Sequence, residues 1–338
     1  MKENHRITRR DIAKMANVSV AAVSYALSGN LKKQISEETC ERICRIAREN
    51  GYTPNFTARA LASGKSYNIG FVCPAAEWLL DPMFQYIQYG VVCSINQTNY
   101  NINCFYQLND KFFQKLEEAR LDGLILFSNH MTEEIAQTLE LPIPIVAIDL
   151  FLPDSLQRTD IVCVCSDYTG IVQKIFAEFA AIDCRNIAAI IPLSPDCQPN
   201  DILAESFLRE ALKYKQSGMN AVMFNPRIED HGLKCTGFEA MVEKVLQSGE
   251  IFDGVYIDVY ADYGRRFLEL AAAAGKIPGR DFKLILTDTA RREYKTGQVW
   301  IQDGELLGRM AWQTLKDLLA GNPSVQNVTV PFRKIEQG

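Results

Sequence analysis

The sequence predicts a short all-α head followed by an α/β body of two lobes, and three observations carry that expectation. Between Thr8 and Leu61, capped segments of helical period are broken by turn residues. From Asn68 onward, short apolar runs alternate with helical ones. The charge divides along the same line: residues 1–65 hold twelve Lys/Arg against six Asp/Glu, a net +6, leaving −11 on the rest of a chain whose total is −5.

In the head, Thr8-Arg9-Arg10-Asp11 sets a hydroxyl three residues before a carboxylate, so each side chain can satisfy the other's orphan backbone donor at a helix start. Ile12, Ala13, Met15 and Ala16 follow as apolar positions at helical spacing. Asn17-Val18-Ser19 interrupts them, because Asn tolerates a left-handed backbone and Ser19 can cap a second helix. Val23, Ala26 and Leu27 give that helix a narrow apolar stripe, and Ser28-Gly29-Asn30 stops it. Two short helices joined by a tight turn read as a helix-turn-helix. A third helix is expected from Ser36 as cap to Glu49, with Ile43, Ile46 and Ala47 inward and Asn50-Gly51 at its end. Tyr52 should pack against this small core, and Pro54 prevents continuation. Asn55 can cap a fourth segment, Phe56 to Ser63, shorter than the roughly 12–15 residues an isolated helix needs.

The body alternates apolar runs (Ile69–Cys73, Ile102–Phe105, Gly123–Phe127, Ile145–Ile148, Ile161–Cys165, Ile187–Ile191, Ala221–Phe224, Gly254–Ile257, Lys283–Leu286) with segments of helical period. Such alternation means parallel sheets with helices on both faces. About ten strands exceed one comfortable open sheet, so two lobes are expected.

Composition is that of an ordinary globular protein, 47% hydrophobic and 23% charged over 338 residues. Among ten cysteines there is no Cys-x-x-Cys and no zinc-finger spacing; Cys40 and Cys44 lie one helical turn apart, and Cys163 and Cys165 alternate along a strand, so core thiols are expected. No secretory signal opens the chain and no apolar run reaches membrane-span length, which favours a cytoplasmic protein without a membrane partner. His5, His130 and His231 lie apart, with no Gly-x-Ser-x-Gly elbow, no Gly-x-Gly-x-x-Gly phosphate loop and no metal-ligand spacing. The expectation is a non-enzyme with no catalytic residue, cofactor or metal.

The ordered run Thr8-x-x-Asp11-Ile12-Ala13-x-x-Ala16-x-Val18-Ser19-x-x-x-Val23-Ser24, then Ser36-x-Glu38-Thr39, Asn50-Gly51-Tyr52-x-Pro54-Asn55-x-x-Ala58-Arg59-x-Leu61 and Ile69-Gly70, resembles the DNA-binding head of the LacI/GalR family of bacterial transcription regulators. The resemblance implies a homodimeric regulator, most often a repressor, on a pseudo-palindromic double-stranded operator. It implies an all-α helix-turn-helix domain over 1–54 and a hinge helix and linker over 55–67. A two-lobed periplasmic-binding-protein-like (Rossmann-like) effector domain then covers 68–338. By the same resemblance, 68–160 plus 291–322 form lobe 1 and 161–290 plus 323–338 form lobe 2, with a small-molecule effector of sugar or polyol class between them.

Family positions that face base edges fall at Val20, Ala21 and Tyr25. The usual Arg at the last of these is a fork-shaped guanine reader, which Tyr25 cannot copy, while Val20 and Ala21 suit a thymine methyl. The half-site is therefore expected to lean towards A/T there. Phosphate affinity is expected from Arg6, Arg9, Arg10, Lys14, Lys32 and Lys33 with Ser19, Ser24 and Asn30, against the alternative of a solvated basic surface. Asn55, Ala58 and Arg59 match the hinge motif, and Leu61 matches a leucine that wedges into the minor groove.

In the cleft, Asp81-Pro82-Met83-Phe84 looks like the family's Asn-Pro-Phe-Phe, which puts Phe84 against the effector. Asp149, Asp258, Asp288 and Gln302 match further effector positions, although capping or solvated roles at strand ends are open to the carboxylates. The family's cleft arginine falls at Ala204, so a donor-bearing or cationic ligand is expected and a phosphorylated one disfavoured. A protein co-repressor acting on a vestigial cleft is an alternative. A sugar-binding transport protein is a poorer one, since it would need an export signal and no basic head.

Overall fold

The structure is a computed structural model and describes residues 7–27, 35–52, 60, 63–106, 108, 110–152, 158–229, 234–247, 251–258, 262–289, 294 and 296–335. Two compact units result, Met1–Ser66 and Tyr67–Gly338.

The head holds three helices among the described residues. In α1 (Arg9–Ala16) the reciprocal cap forms: Thr8 Oγ1 accepts from the Asp11 nitrogen at 3.4 Å, and the Asp11 carboxylate accepts from the Thr8 nitrogen at 2.9 Å. Asn17 closes α1 in the left-handed region at φ 51°. Ser19 then accepts from the Ala22 nitrogen at the start of α2 (Val20–Leu27), and Ser36 caps α3 (Glu37–Glu49). Ile12, Ala13, Ala16, Val23, Ala26, Cys40, Ile43 and Ala47 close the core, with Ile46 and Tyr52 packed at its edge. Met15 is not part of it; one turn of a three-helix cluster buries only the Ile12–Ala13–Ala16 arc, and Met15 is 51% exposed. Arg9 Nε donates to the Tyr52 hydroxyl at 3.2 Å, tying the start of α1 to the residue that follows α3.

The body runs β1 (Asn68–Cys73), a 3-10 turn (Ala76–Leu80), α4 (Pro82–Ile95), β2 (Asn101–Tyr106), α5 (Asp110–Ala119), β3 (Gly123–Phe127), α6 (Glu133–Leu139), β4 (Ile145–Ile148) and β5 (Ile161–Ser166). The chain then crosses to α7 (Tyr168–Ala181), β6 (Asn186–Ile190), α8 (Gln198–Lys215), β7 (Asn220–Phe224), the hairpin β8 (Arg227–Glu229) and β9 (Lys234–Thr236), α9 (Phe238–Gln247), β10 (Gly254–Asp258), α10 (Tyr263–Ala273), β11 (Lys283–Asp288) and β12 (Gln298–Ile301). It returns through α11 (Gly304–Leu319) and β13 (Val328–Val330) and ends at β14 (Arg333–Ile335).

Two six-stranded sheets form, in the orders β13-β5-β4-β3-β1-β2 and β14-β12-β11-β10-β6-β7. All neighbours are parallel except β14, which runs antiparallel to β12. This is the doubly wound two-lobed architecture expected, with each sheet sandwiched between apolar layers.

The lobe boundaries need correction. β5 pairs with β4 (Ile145↔Ile161), so 161–166 belong to the first sheet rather than the second. β12 pairs with β11, placing 298–301 in the second sheet, while β13 pairs with β5, placing 328–330 in the first. Each lobe thus completes its sheet with a strand adjoining a crossover, because an uncovered edge beside the crossing chain would leave backbone donors unpaired.

The three crossovers bond to one another. The Asp167 nitrogen donates to the Val330 oxygen at 2.9 Å, and Arg333 pairs with Asp303 at 3.5 Å. Gln302 Nε2 lies 2.9 Å from Ser166 Oγ and 2.7 Å from the Tyr168 hydroxyl. In the first lobe α4 and α11 pack closely enough that a Cβ on Gly308 would strike the Ile87 carbonyl and lie 2.9 Å from the Val91 nitrogen.

Candidate functional site

On the head, α2 carries no charged side chain, and its surface is divided by the helical period. Val23 and Ala26 are buried, whereas Val20, Ala21 and Tyr25 lie exposed on one arc with Ser24 between them. A bare, weakly polar face is thus presented by a basic unit. Ser19 is exposed and spends its hydroxyl on the cap, Arg10 and Lys14 are exposed, and Arg9 is half-buried on Tyr52. Arg6, Asn30, Lys32, Lys33, Asn55, Ala58, Arg59 and Leu61 lie outside the described residues.

In the body, one cavity of about 760 Å³ opens where the strands of both sheets end. Ligands of open α/β sheets bind at the carboxyl ends of strands, and this volume is within the usual range for a small-molecule site. Asp149, Asp258, Asp288 and Gln302 line it together. Asp149 follows β4 in a left-handed backbone at φ 53°, which turns its carboxylate back over β5. There it accepts from the Ser166 nitrogen at 2.7 Å, from Tyr168 at 3.1 Å and from Gln302 Nε2 at 2.9 Å. Asp149 is therefore an anchor of the crossovers as much as a lining group. Burial pushes its carboxyl up to about 6, against those hydrogen bonds.

Asp258 ends β10. One of its oxygens accepts from the Thr287 hydroxyl at 2.6 Å, and Thr287 in turn lies 3.1 Å from the Tyr256 hydroxyl. Burial raises this carboxyl to about 6, with the neighbouring Asp288 adding to the rise. Cys197, also on the lining, has its thiol pushed up to about 12 by burial and stays a protonated, poor nucleophile at neutral pH.

Phe84 is not on the cavity. Asp81 caps α4 by accepting from the Phe84 nitrogen, and that turn rolls the ring onto the sheet. There it packs 5.6 Å from Phe71 and 5.5 Å from Phe127, fully buried. Asp81, Met83 and Trp78 take the lining position instead. Ala204 is buried within α8. The cleft is not without a guanidinium, however, because Arg227 at the start of β8 lines it. Asn129, His130 and Asn200 are further lining groups that the motif comparison passed over. All follow sheet strands or open helices, so the strand-end rule applied to each apolar run marks their loops.

The lobes are clasped beside the cavity. Gln198, first in α8, donates from its amide to the Phe151 oxygen and accepts from the Phe151 nitrogen, both at 2.9 Å. Its backbone nitrogen donates to the Asn129 oxygen at 3.1 Å. Gln198→Ala removes two of these bonds, at about 0.5–1.5 kcal/mol each. The expected result is a lower melting temperature for the body and a larger radius of gyration by X-ray scattering; an unchanged radius would mean the crossovers alone hold the lobe angle.

The two raised carboxyls make a pH prediction. An unfolded Asp titrates near ~3.9, whereas Asp149 and Asp258 titrate at about 6 in the fold. Between those values the folded state holds protons that the unfolded chain has released. Their stabilising contribution is complete below the unfolded pKa and is lost as pH rises through about 6. Calorimetry from pH 5 to 7.5 should show a falling melting temperature with a slope that Asp258→Asn reduces. An unaltered slope in that variant would remove Asp258 from the account.

The fold thus joins a small helix-turn-helix unit to a two-lobed α/β body with a strand-end cleft. Residues 8–55 match the family model described as bacterial regulatory proteins, lacI family. That match covers the head alone. The chain is 30% identical over 154 residues to the sucrose operon repressor of Klebsiella pneumoniae, covering 44% of this chain and 46% of that protein. It is 46% identical over 70 residues to the ribitol operon repressor of Klebsiella aerogenes, covering 20% and 26%. The matched stretches thus span less than half the length of these curated relatives. In fold, the lac repressor dimer bound to operator and the anti-inducer ONPF superimposes with a TM-score of 0.68 over 98% of both chains at 17% identity.

Proposed function

We propose that this chain is a sequence-specific DNA-binding transcription regulator, acting as a repressor. It works as a homodimer on a pseudo-palindromic site and is switched by a small, carbohydrate-like ligand in the cleft. The observation that carries the reading is the exposed, uncharged face of α2 on a unit of net +6, attached to a body whose lobes meet around a cavity of about 760 Å³. The relatives named as sucrose and ribitol operon repressors support the same pairing of operator and carbohydrate. Two-fold symmetry matches paired half-sites, and a ligand that binds one lobe arrangement better than another is sufficient to shift operator affinity. Arg10 and Lys14 with the other head cations supply phosphate attraction, while Val20, Ala21 and Tyr25 meet base edges by apolar and single hydrogen-bond contacts. The hinge contribution of Asn55, Ala58, Arg59 and Leu61 belongs to the same proposal. No helix among the described residues is long and apolar enough to cross a membrane.

The test is selection of binding sites from random duplex by the full chain, followed by anisotropy titrations across salt. The expected product is a symmetric site whose half-sites are A/T-leaning where Val20, Ala21 and Tyr25 reach, with affinity falling steeply as salt rises. Recovery of guanine at the position facing Tyr25 would overturn the base reading, and absence of any salt-sensitive preference would overturn the function.

A further inference from the structure

We propose that Cys40 and Cys44 form a site for a soft, thiophilic metal ion of the copper(I) kind, held in line between the two sulfurs, and that filling it loosens the grip of α2 on DNA. The site lies apart from the cleft, and its regulatory half rests on the DNA-binding reading above. Both residues stand on α3 four positions apart, so their side chains leave one face a turn from each other. They converge on a single atom of another helix. Each thiol donates to the Ala26 oxygen at 3.9 Å, and the two thiols are hydrogen-bonded to each other as well. Cys40 is 8% exposed in the head core, whereas Cys44 is half-buried at its edge and gives an ion its way in.

Geometry separates metal binding from oxidation. A disulfide needs Cβ atoms about 3.5–4.5 Å apart, and helical residues at this spacing hold theirs at about 5–6 Å. Closing the disulfide would break the turn of α3. A thiolate–metal–thiolate bridge is longer by one metal–sulfur bond, ~2.3 Å in zinc sites, and spans the gap with the helix intact. Two sulfurs also set the kind of ion, because thiolates select soft cations, while structural zinc takes four donors. No third His, Cys, Asp or Glu completes a metal-holding group with the pair among the described residues. Residues 28–34 and 53–59, which adjoin the described helices in the chain, contain none of these types.

The Ala26 carbonyl links the site to the DNA-facing helix. The last four carbonyls of a helix have no intrahelical partner, and Ala26 is the penultimate residue of α2, with both thiols donating to it. An entering ion takes a lone pair from each sulfur and sends both protons to solvent. Ala26 then loses two donors and faces two anionic sulfurs, so the end of α2 is pushed away from α3. Val23 and Ala26 seat α2 in the head core. When they shift, Val20, Ala21 and Tyr25 on the exposed arc shift with them.

The experiment titrates the reduced full-length protein with copper(I) under anaerobic conditions, against bicinchoninate as a chromophoric competitor, with zinc(II) as the control ion. Cys44→Ser and Cys40→Ala are run beside the parent, so that the other eight thiols contribute equally to all three. The expected result is one tight copper equivalent that each substitution weakens at least 100-fold, with two protons released per ion. Loading that equivalent should lower the parent's operator affinity at least tenfold and leave Cys44→Ser within threefold of its metal-free value. Circular dichroism reports the fold, and if Cys40→Ala does not fold, Cys44→Ser decides. An unchanged copper equivalence in Cys44→Ser, or displacement of the copper by equimolar zinc, overturns the site. A filled site with unaltered operator affinity overturns the coupling to α2. A metal-free parent that prefers no duplex would remove the DNA-binding reading instead, while the copper titration still judges the site.

Discussion

Val20→Asp is expected to reduce operator affinity by about 100-fold while leaving the head folded. Val20 is 43% exposed at the first position of α2, on the arc it shares with Ala21 and Tyr25. A carboxylate there costs the core nothing. It even suits the helix N-terminus, where negative charge is favourable. Against DNA the balance reverses: one unit charge about 5 Å from a phosphate, at an effective dielectric of about 20, is worth about 3 kcal/mol of repulsion. The methyl contact proposed for Val20 is lost as well. Circular dichroism reports the fold, and anisotropy on the selected duplex reports binding. An affinity within threefold of the parent would remove α2 from the interface.

The second large effect is expected in the body. Gly308→Val should destabilise it by at least about 3 kcal/mol, at the upper end of what overpacking costs. Gly308 sits in α11 where the Ile87 carbonyl and Val91 nitrogen of α4 press against its Cα, and Gly90 faces Glu305 in the same way. These atoms are backbone, so a side chain cannot be accommodated by a rotamer change, and the two helices must part. Parting them opens the apolar layer in which Ile87, Val91, Leu307, Ala311 and Leu315 cover the first sheet. Thermal unfolding of the variant should show a clearly lower body transition; an unchanged transition would mean that α4 and α11 lie further apart than the structure places them. Ligand binding should weaken in step, because Asp81 and Met83 at the start of α4 line the cavity.

Local chemistry explains what could be read without coordinates. Caps at Thr8, Ser19 and Ser36 are decided within three or four residues, and each forms where the hydroxyl stands. The fully buried strands announce themselves as unbroken apolar runs, as in Gly123–Phe127 and Ile145–Ile148. Asp149, Asp258, Asp288 and Gln302 fall on the cavity because each directly ends or follows a strand, and parallel strands all end at the same side of a sheet.

Misplacements arose where a position depends on partners far away in the chain. Motif position put Phe84 on the ligand, but the direction of its ring is set by Asp81 capping and by Phe71 and Phe127 beneath it. The strands at 161–166, 298–301 and 328–330 carry no mark of the sheet they join, since either edge would bury them equally well. Arg227 escaped notice because it enters from the β8–β9 hairpin, a pair of three-residue strands too short for periodicity to register.

Order of elements, caps, buried runs and the basic head against an acidic body were set by residue chemistry acting over a few neighbours, and were legible for that reason. The clasp at Gln198, the bonds among the three crossovers, and the company of Asp258, Asn129 and Arg227 around one cavity were decided only in three dimensions. They join residues tens to hundreds of positions apart, and those groups meet only after both sheets have formed and the chain has crossed between them.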